Sequence, residues 1–125
     1  MFELRSRNEL RKSMFKLELR FQNFTIREYS LRNGDIRFIG RGAENHIMFD
    51  DPHVSRRHAR ITRWGDELFV GDEGSKQGTA VNGMQVICAK LKHGDIVNIG
   101  GSQNPQASIV AIEEETITDF LKATT

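Results

Sequence analysis

One guanidinium, one hydroxyl and a run of small polar residues are the groups of this chain that could together hold an anion. Arg41 follows Gly40; Ser55, Arg56, Arg57 and His58 stand in a row; Ser75, Lys76 and Gln77 lead into Gly78-Thr79, with Asn82-Gly83 just beyond. Arg carries five donors in a planar fork that suits phosphate oxygens better than the point charge of Lys. A Ser hydroxyl and its own backbone N–H can both donate to one phosphate oxygen. Arg56 and Arg57 point to opposite sides of an extended backbone, so one can face a sheet end while the other faces solvent. The side-chain amides of Gln77 and Asn82 can pair, donor with acceptor, with a peptide backbone. The plain alternatives are a solvated arginine at 41 and a hairpin turn over 74–83. The phosphate reading requires three separate turns to converge.

Other chemistries fit less well. The stretch Gly40-Arg41-Gly42-Ala43-Glu44-Asn45 starts like a dinucleotide fingerprint, but Asn45 stands where the third glycine belongs and no helical pattern follows. Ser55 as a nucleophile activated by His58 lacks both a strand–Ser–helix elbow and an orienting carboxylate. His46, His53 and His58 are spaced by seven and five positions, which matches no standard metal pattern, and each reads as a structural or surface imidazole. No metal, cofactor or catalytic residue is expected, and the chain does not read as an enzyme.

The elements that would have to position these groups are short strands. Phe15, Leu17, Leu19 and Phe21 alternate with Lys16, Glu18, Arg20 and Gln22, the pattern of a half-buried strand. Similar runs follow at about 24–31, 35–39, 58–63, 67–71, 79–81, 95–99 and 107–113, separated by turn chemistry. Asn33-Gly34 is the best tight-hairpin signal. Many short strands without a long 3.6-residue period predict an all-β sandwich or barrel. The expected core is Leu17, Leu19, Phe38, Ile47, Ala59, Ile61, Leu68, Val70, Val81, Val97, Ile99, Ile109 and Ala111. Residues 1–13 read as a basic flexible arm or extra edge strand, 14–113 as one domain, and 114–125 as an acidic tail or short helix.

Bulk properties narrow the partners. The 125 residues have room for one core, and 18 basic against 17 acidic residues leave a net charge of +1, with no strong pull toward nucleic acid or anionic lipid. Cys88 is the only cysteine, so no intrachain disulfide is possible and a reducing, intracellular setting is expected, cytoplasmic by default with the nucleus left open. No apolar run has the length of a membrane span and no signal-peptide core is visible.

Residues 15–113 resemble the forkhead-associated (FHA) domain, a phosphothreonine-reading module. The resemblance rests on Gly40-Arg41, Ser55 with His58 three residues on, Gly74-Ser75 followed by Gly78-Thr79, Asn82-Gly83, and the closing Gly94-Asp95-Ile96-Val97-Asn98-Ile99-Gly100. It implies a β-sandwich of about eleven mostly antiparallel strands with its ligand loops at one end. It implies further that Arg41 and Ser55 hold the phosphate with help from Arg56, while Gly40 shapes its loop and His58 braces the Ser55 loop from beneath. Lys76 and Gln77 would touch the surroundings of the phosphothreonine and the adjacent backbone, and Asn82 would tie the loops together. Gln77 stands where the family usually has Asn, one methylene shorter, and Lys76 where a small polar residue is common.

The implied partner is a phosphothreonine-containing protein or peptide, with a Ser/Thr kinase upstream. A phosphate-independent scaffold or oligomerisation domain is the alternative from another class. Thr116 and Thr118 lie in the acidic stretch Glu113–Asp119. If a kinase modified them, the tail could occupy the Arg41 site of its own copy or of a second one.

Overall fold

The computed structural model describes residues 11–21, 24–102 and 107–117. Eleven strands form two sheets, and no helix occurs among the described residues. The six-stranded sheet has the order β2-β1-β11-β10-β7-β8 and the five-stranded sheet the order β4-β3-β5-β6-β9. Their ranges are β1 Arg11–Phe21, β2 Phe24–Leu31, β3 Ile36–Gly40, β4 Ile47–Met48, β5 Ala59–Trp64, β6 Glu67–Asp72, β7 Thr79–Val81, β8 Met84–Val86, β9 Cys88–Leu91, β10 Ile96–Ile99 and β11 Ala107–Ile117. All pairings are antiparallel except β3 with β4.

Alternation explains the layering. Phe15, Leu17 and Leu19 of β1 are buried while Lys16, Glu18 and Arg20 stay part-exposed, so one face of the strand turns inward. Leu17, Val97 and Ile109 from one sheet meet Ile39, Ile61 and Val70 from the other in a single core. Two expected core residues depart from this. Ile39 pairs with Ala59, both fully buried, and that parity turns Phe38 outward, where the Arg57 guanidinium lies 4.5 Å over its ring. Val81, at the end of the short strand β7, is half-buried.

The Asn33-Gly34 hairpin is corrected. Arg32–Asp35 does form a tight turn, closed by Asp35 N–H donating to Arg32 O at 3.0 Å. It carries the chain from β2 in one sheet to β3 in the other, so the flanking strands never pair. True two-residue hairpins join β5 to β6 through Gly65-Asp66 and β7 to β8 through Asn82-Gly83. Asn82 and Gly83 have φ of 51° and 85°, the left-handed pair of a type I′ turn, whose twist matches the strands it joins.

The edges also differ from expectation. Residues 11–13 lengthen β1, which lies between β2 and β11 rather than at an edge, and 114–117 continue β11 as strand, with Arg11 opposite Ile117 and Lys12 opposite Thr116. Each residue there gains a ladder partner that a helix could not supply. Residues 1–10 and 118–125, including Thr118, lie outside the described residues. At one end of the sandwich β3 finishes, β5 and β7 begin, and β10 hands over to β11. The candidate loops gather there, while Arg11 and Ile117 lie at the other end.

Candidate functional site

Backbone hydrogen bonds stitch the first two loops together. Arg41 N–H donates to Ser55 O at 2.9 Å and Gly42 N–H to Arg56 O at 3.0 Å. The buried Asn45 side chain reinforces this, its Nδ2 donating to Gly42 O at 2.8 Å and to Arg56 O at 2.7 Å. The approach is so close that a Cβ on Gly40 would overlap the Arg56 carbonyl. Gly40 is therefore required on steric grounds, and the stitching fixes where Arg41 leaves the sheet end.

His58 joins the second loop to the third. It is fully buried; its Nδ1 accepts from Ser55 N–H at 2.9 Å and its Nε2 lies 2.7 Å from Gly78 O. Because Nδ1 is accepting, the proton belongs on Nε2, which donates to Gly78 O. Burial pushes the imidazole pKa below its ordinary value, against the opposing pull of Gly78 O and the Asp72 carboxylate, so the ring is held neutral.

Asp72 organises the third loop. One oxygen accepts from Ser75 Oγ at 2.5 Å and Thr79 Oγ1 at 2.8 Å, the other from Ser75 N–H at 3.0 Å. Burial raises the Asp72 pKa, but the bonds from Ser75 and Thr79 outweigh it and hold the carboxyl below its ordinary value. Ser75 Oγ in turn accepts from Gly78 N–H at 2.9 Å. The loops close on each other where Lys76 N–H donates to Ser55 Oγ at 3.0 Å. Accepting that bond leaves the Ser55 hydroxyl proton available to another acceptor.

These contacts bound a cleft of about 210 Å³ lined by Arg41, Pro52, His53, Val54, Ser55, Lys76 and Gln77. Two larger hollows, about 460 and 580 Å³, lie elsewhere. Size does not distinguish the cleft; three loops delivering donors to one place does. Most described cations near an acid are paired, as in Arg37 with Asp35, Arg60 with Glu73 and Lys90 with Glu67. Arg41 and Lys76 are exposed, and neither forms an ion pair with a described residue. An anion in the cleft would meet two cations with no carboxylate to displace.

Arg41, Ser55, Lys76 and Gln77 thus meet at one cleft, with Gly40 and His58 beneath or beside it. Arg56 does not join them. Its carbonyl is consumed by the loop stitching, and its Nε donates to Glu44 Oε1 at 3.0 Å, outside the cleft lining. That partner also holds Glu44 below its ordinary pKa, after a larger contribution from its own backbone N–H. Nor does Asn82 tie the cleft loops: β7 separates it from Gln77. It bonds instead to Asp95 Oδ1 and Ile96 N–H, both at 2.9 Å, which anchors its own hairpin to β10. Pro52 and His53 were not anticipated as lining residues. Their only sequence signal is the Asp51-Pro52 turn immediately before Ser55.

The oxoglutarate dehydrogenase inhibitor of Corynebacterium jeikeium is 44% identical over 61 residues, which make up 49% of this chain and 42% of that protein. The glycogen accumulation regulator GarA of Mycolicibacterium smegmatis is 48% identical over 61 residues, 49% of this chain and 39% of the relative. The chain thus matches about two fifths of the length of these curated relatives. An FHA domain solved in a study of phosphothreonine-dependent FHA domain interactions is 31% identical and covers 81% of this chain and 96% of its own, with a TM-score of 0.65. The FHA domain family model matches residues 37–100, just over half of the chain and all three cleft loops, so the chain belongs to the FHA domain family.

Proposed function

We propose that this chain is a phosphothreonine-dependent interaction module, without catalysis of its own, which recruits a protein or peptide modified by a Ser/Thr kinase. The observation that supports it most is Arg41, a guanidinium with no ion pair among the described residues, lining the same cleft as a Ser55 hydroxyl whose proton is free. Arg41 takes two phosphate oxygens through its fork, and Ser55 donates to a third. Lys76 adds charge. Gln77 holds the ligand backbone at a reach one methylene longer than Asn would give. Arg56 contributes by releasing Glu44, with which it forms an exposed, solvent-screened pair.

Charge-assisted hydrogen bonds contribute about 1.5–3 kcal/mol each. Two or three of them, less the cost of ordering a peptide, correspond to a Kd near the micromolar range, about −8 kcal/mol. Affinity for matched phosphothreonine, phosphoserine and threonine peptides from a degenerate library tests the reading. Phosphothreonine is expected to bind tightest and threonine not at all. Equal binding of the phosphorylated and unmodified forms overturns it.

The geometry sharpens the tail hypothesis. β11 carries the chain from Ala107 to Ile117, about 34 Å away from the cleft end. Thr116 lies within that strand, so it cannot return to its own cleft while β11 stays paired. A phosphate on Thr116 would serve a second copy. The phosphate-independent scaffold draws support from exposed Trp64, Met84 and Ile87. A concentration-dependent oligomer in light scattering, unchanged by Arg41→Ala, would favour that alternative.

A further inference from the structure

His53 reads from the sequence as an ordinary surface imidazole, but its position is specific. It follows Pro52 in the turn that leads into Ser55, and it lines the same cleft as Arg41 and Lys76. The turn is held by Asp51, whose Oδ1 accepts from His53 N–H at 2.7 Å and whose backbone carbonyl accepts from Val54 N–H at 3.0 Å. The same Oδ1 lies 3.2 Å from His53 Nδ1. Asp51 is 6% exposed, whereas the His53 side chain is 62% exposed. A buried acid thus lies against one edge of a largely exposed imidazole, in a residue that lines the cleft.

We propose that His53 is a third, pH-dependent phosphate donor, which gains a proton when a phosphomonoester dianion occupies the cleft. This rests on the cleft being the phosphate site. With Asp51 taking Nδ1–H, the neutral ring presents only a lone pair at Nε2, which repels phosphate oxygens. Protonation places an N–H there, so both ring nitrogens donate: Nδ1 to Asp51 and Nε2 to the ligand. The bound dianion and the Asp51 carboxylate both favour the charged ring. Arg41 and Lys76, the cations lining the cleft, oppose it until the dianion neutralises them. Imidazole is the side chain whose charge ordinarily changes between about pH 5 and 8, so a comparison across that range reads the proton.

The other histidines are placed differently. His58 is committed at both nitrogens beneath the loops. His46 accepts from Phe38 N–H at 2.9 Å and His93 from Glu113 N–H at 3.0 Å, both away from the cleft lining. These two serve as internal references.

The test is an NMR pH titration of the four imidazoles, free and saturated with a phosphothreonine peptide flanked by alanines, with the threonine peptide as control. The His53 pKa is expected to rise by about one unit on binding while His46 and His93 stay within about 0.2. By linkage, one unit is a ten-fold affinity difference between the protonated and neutral forms. His53→Gln, an exposed change that leaves the loops intact, should therefore weaken binding about five-fold or more at pH 6.0 and less than two-fold at pH 8.0. Comparing the variant with wild type cancels the phosphate's own titration near pH 6. A His53 pKa that does not move on saturation, or equal losses at both pH values, overturns the proposal while leaving the phosphate site standing. Failure of the phosphopeptide to shift cleft resonances would instead remove the site itself.

Discussion

Arg41 and Arg63 are the same residue type at opposite ends of the sandwich, and their surroundings differ in kind. Arg63 is consumed by the protein. Its Nη1 donates to Leu31 O at 2.8 Å, its Nε to Gly65 O at 2.9 Å, and its guanidinium lies 4.6 Å over the Phe15 ring. It thereby ties the β2–β3 crossing to the β5–β6 hairpin. Arg41 is anchored only through its backbone, and its side chain makes no ion pair among the described residues. A cation whose hydrogen bonds are spent internally supports the fold. One presented by a rigid loop without a partner is available to a ligand.

Substitution at the two sites should separate these roles. Arg41→Ala is expected to cost about 2–4 kcal/mol in phosphopeptide affinity, the loss of a bidentate charge-assisted contact, with little change in Tm. Arg63→Ala should leave affinity unchanged and cost about 1–3 kcal/mol of stability, because two carbonyls and a ring lose their partner. Matched titrations and thermal melts check both. A destabilised Arg41→Ala, or an Arg63→Ala that no longer binds, would erase the contrast.

His58 belongs to both categories, being structural in its bonds and functional in what they hold. Since its folded pKa lies below the unfolded value of about 6.5, the unfolded chain takes up a proton first as pH falls. Its contribution is complete above that value and declines as pH falls from there toward the folded pKa. Denaturant melts from pH 8 to 5.5 should show that decline, and His58→Gln should flatten it while costing about 2 kcal/mol at pH 8. The carboxylates held low, Asp72 and Asp35 among them, act in a separate window below about pH 4. The smallest effect is expected at Arg56, whose pairing with Glu44 lies outside the cleft. Arg56→Ala should weaken phosphopeptide binding by no more than about five-fold, and a loss equal to that of Arg41→Ala would show that Arg56 holds the phosphate as strongly as Arg41 does.

Much of the molecule was legible in the sequence, for identifiable reasons. Long alternating runs such as Phe15–Phe21 announced their strands, because one buried face imposes period two. β4, β8 and β9 escaped because two to four residues carry too little pattern, and Met48 and Met84 are exposed on them. Asn33-Gly34 misled because turn chemistry specifies a local bend, not which sheet the next strand joins. In the candidate site, residue type and order singled out Arg41, Ser55 and Gln77 and the family resemblance added Lys76, and all four line one cleft. The pairing of Arg56 with Glu44 was not legible, because that carboxylate comes from another loop and only tertiary packing sets the two side by side. His53 was missed for the reverse reason: what distinguishes it is the buried Asp51 against its ring, a contact that spacing alone cannot reveal.

The central claim is that the Arg41 guanidinium and a ligand phosphate recognise each other directly. A thermodynamic cycle tests it, removing the phosphate from the peptide and the guanidinium from the protein, singly and together, with affinity measured by calorimetry. The account predicts strong coupling: each removal abolishes most of the binding energy, and the second adds little, with an interaction of at least about 2 kcal/mol. Additive losses would contradict it, because Arg41 would then support binding without touching the phosphate.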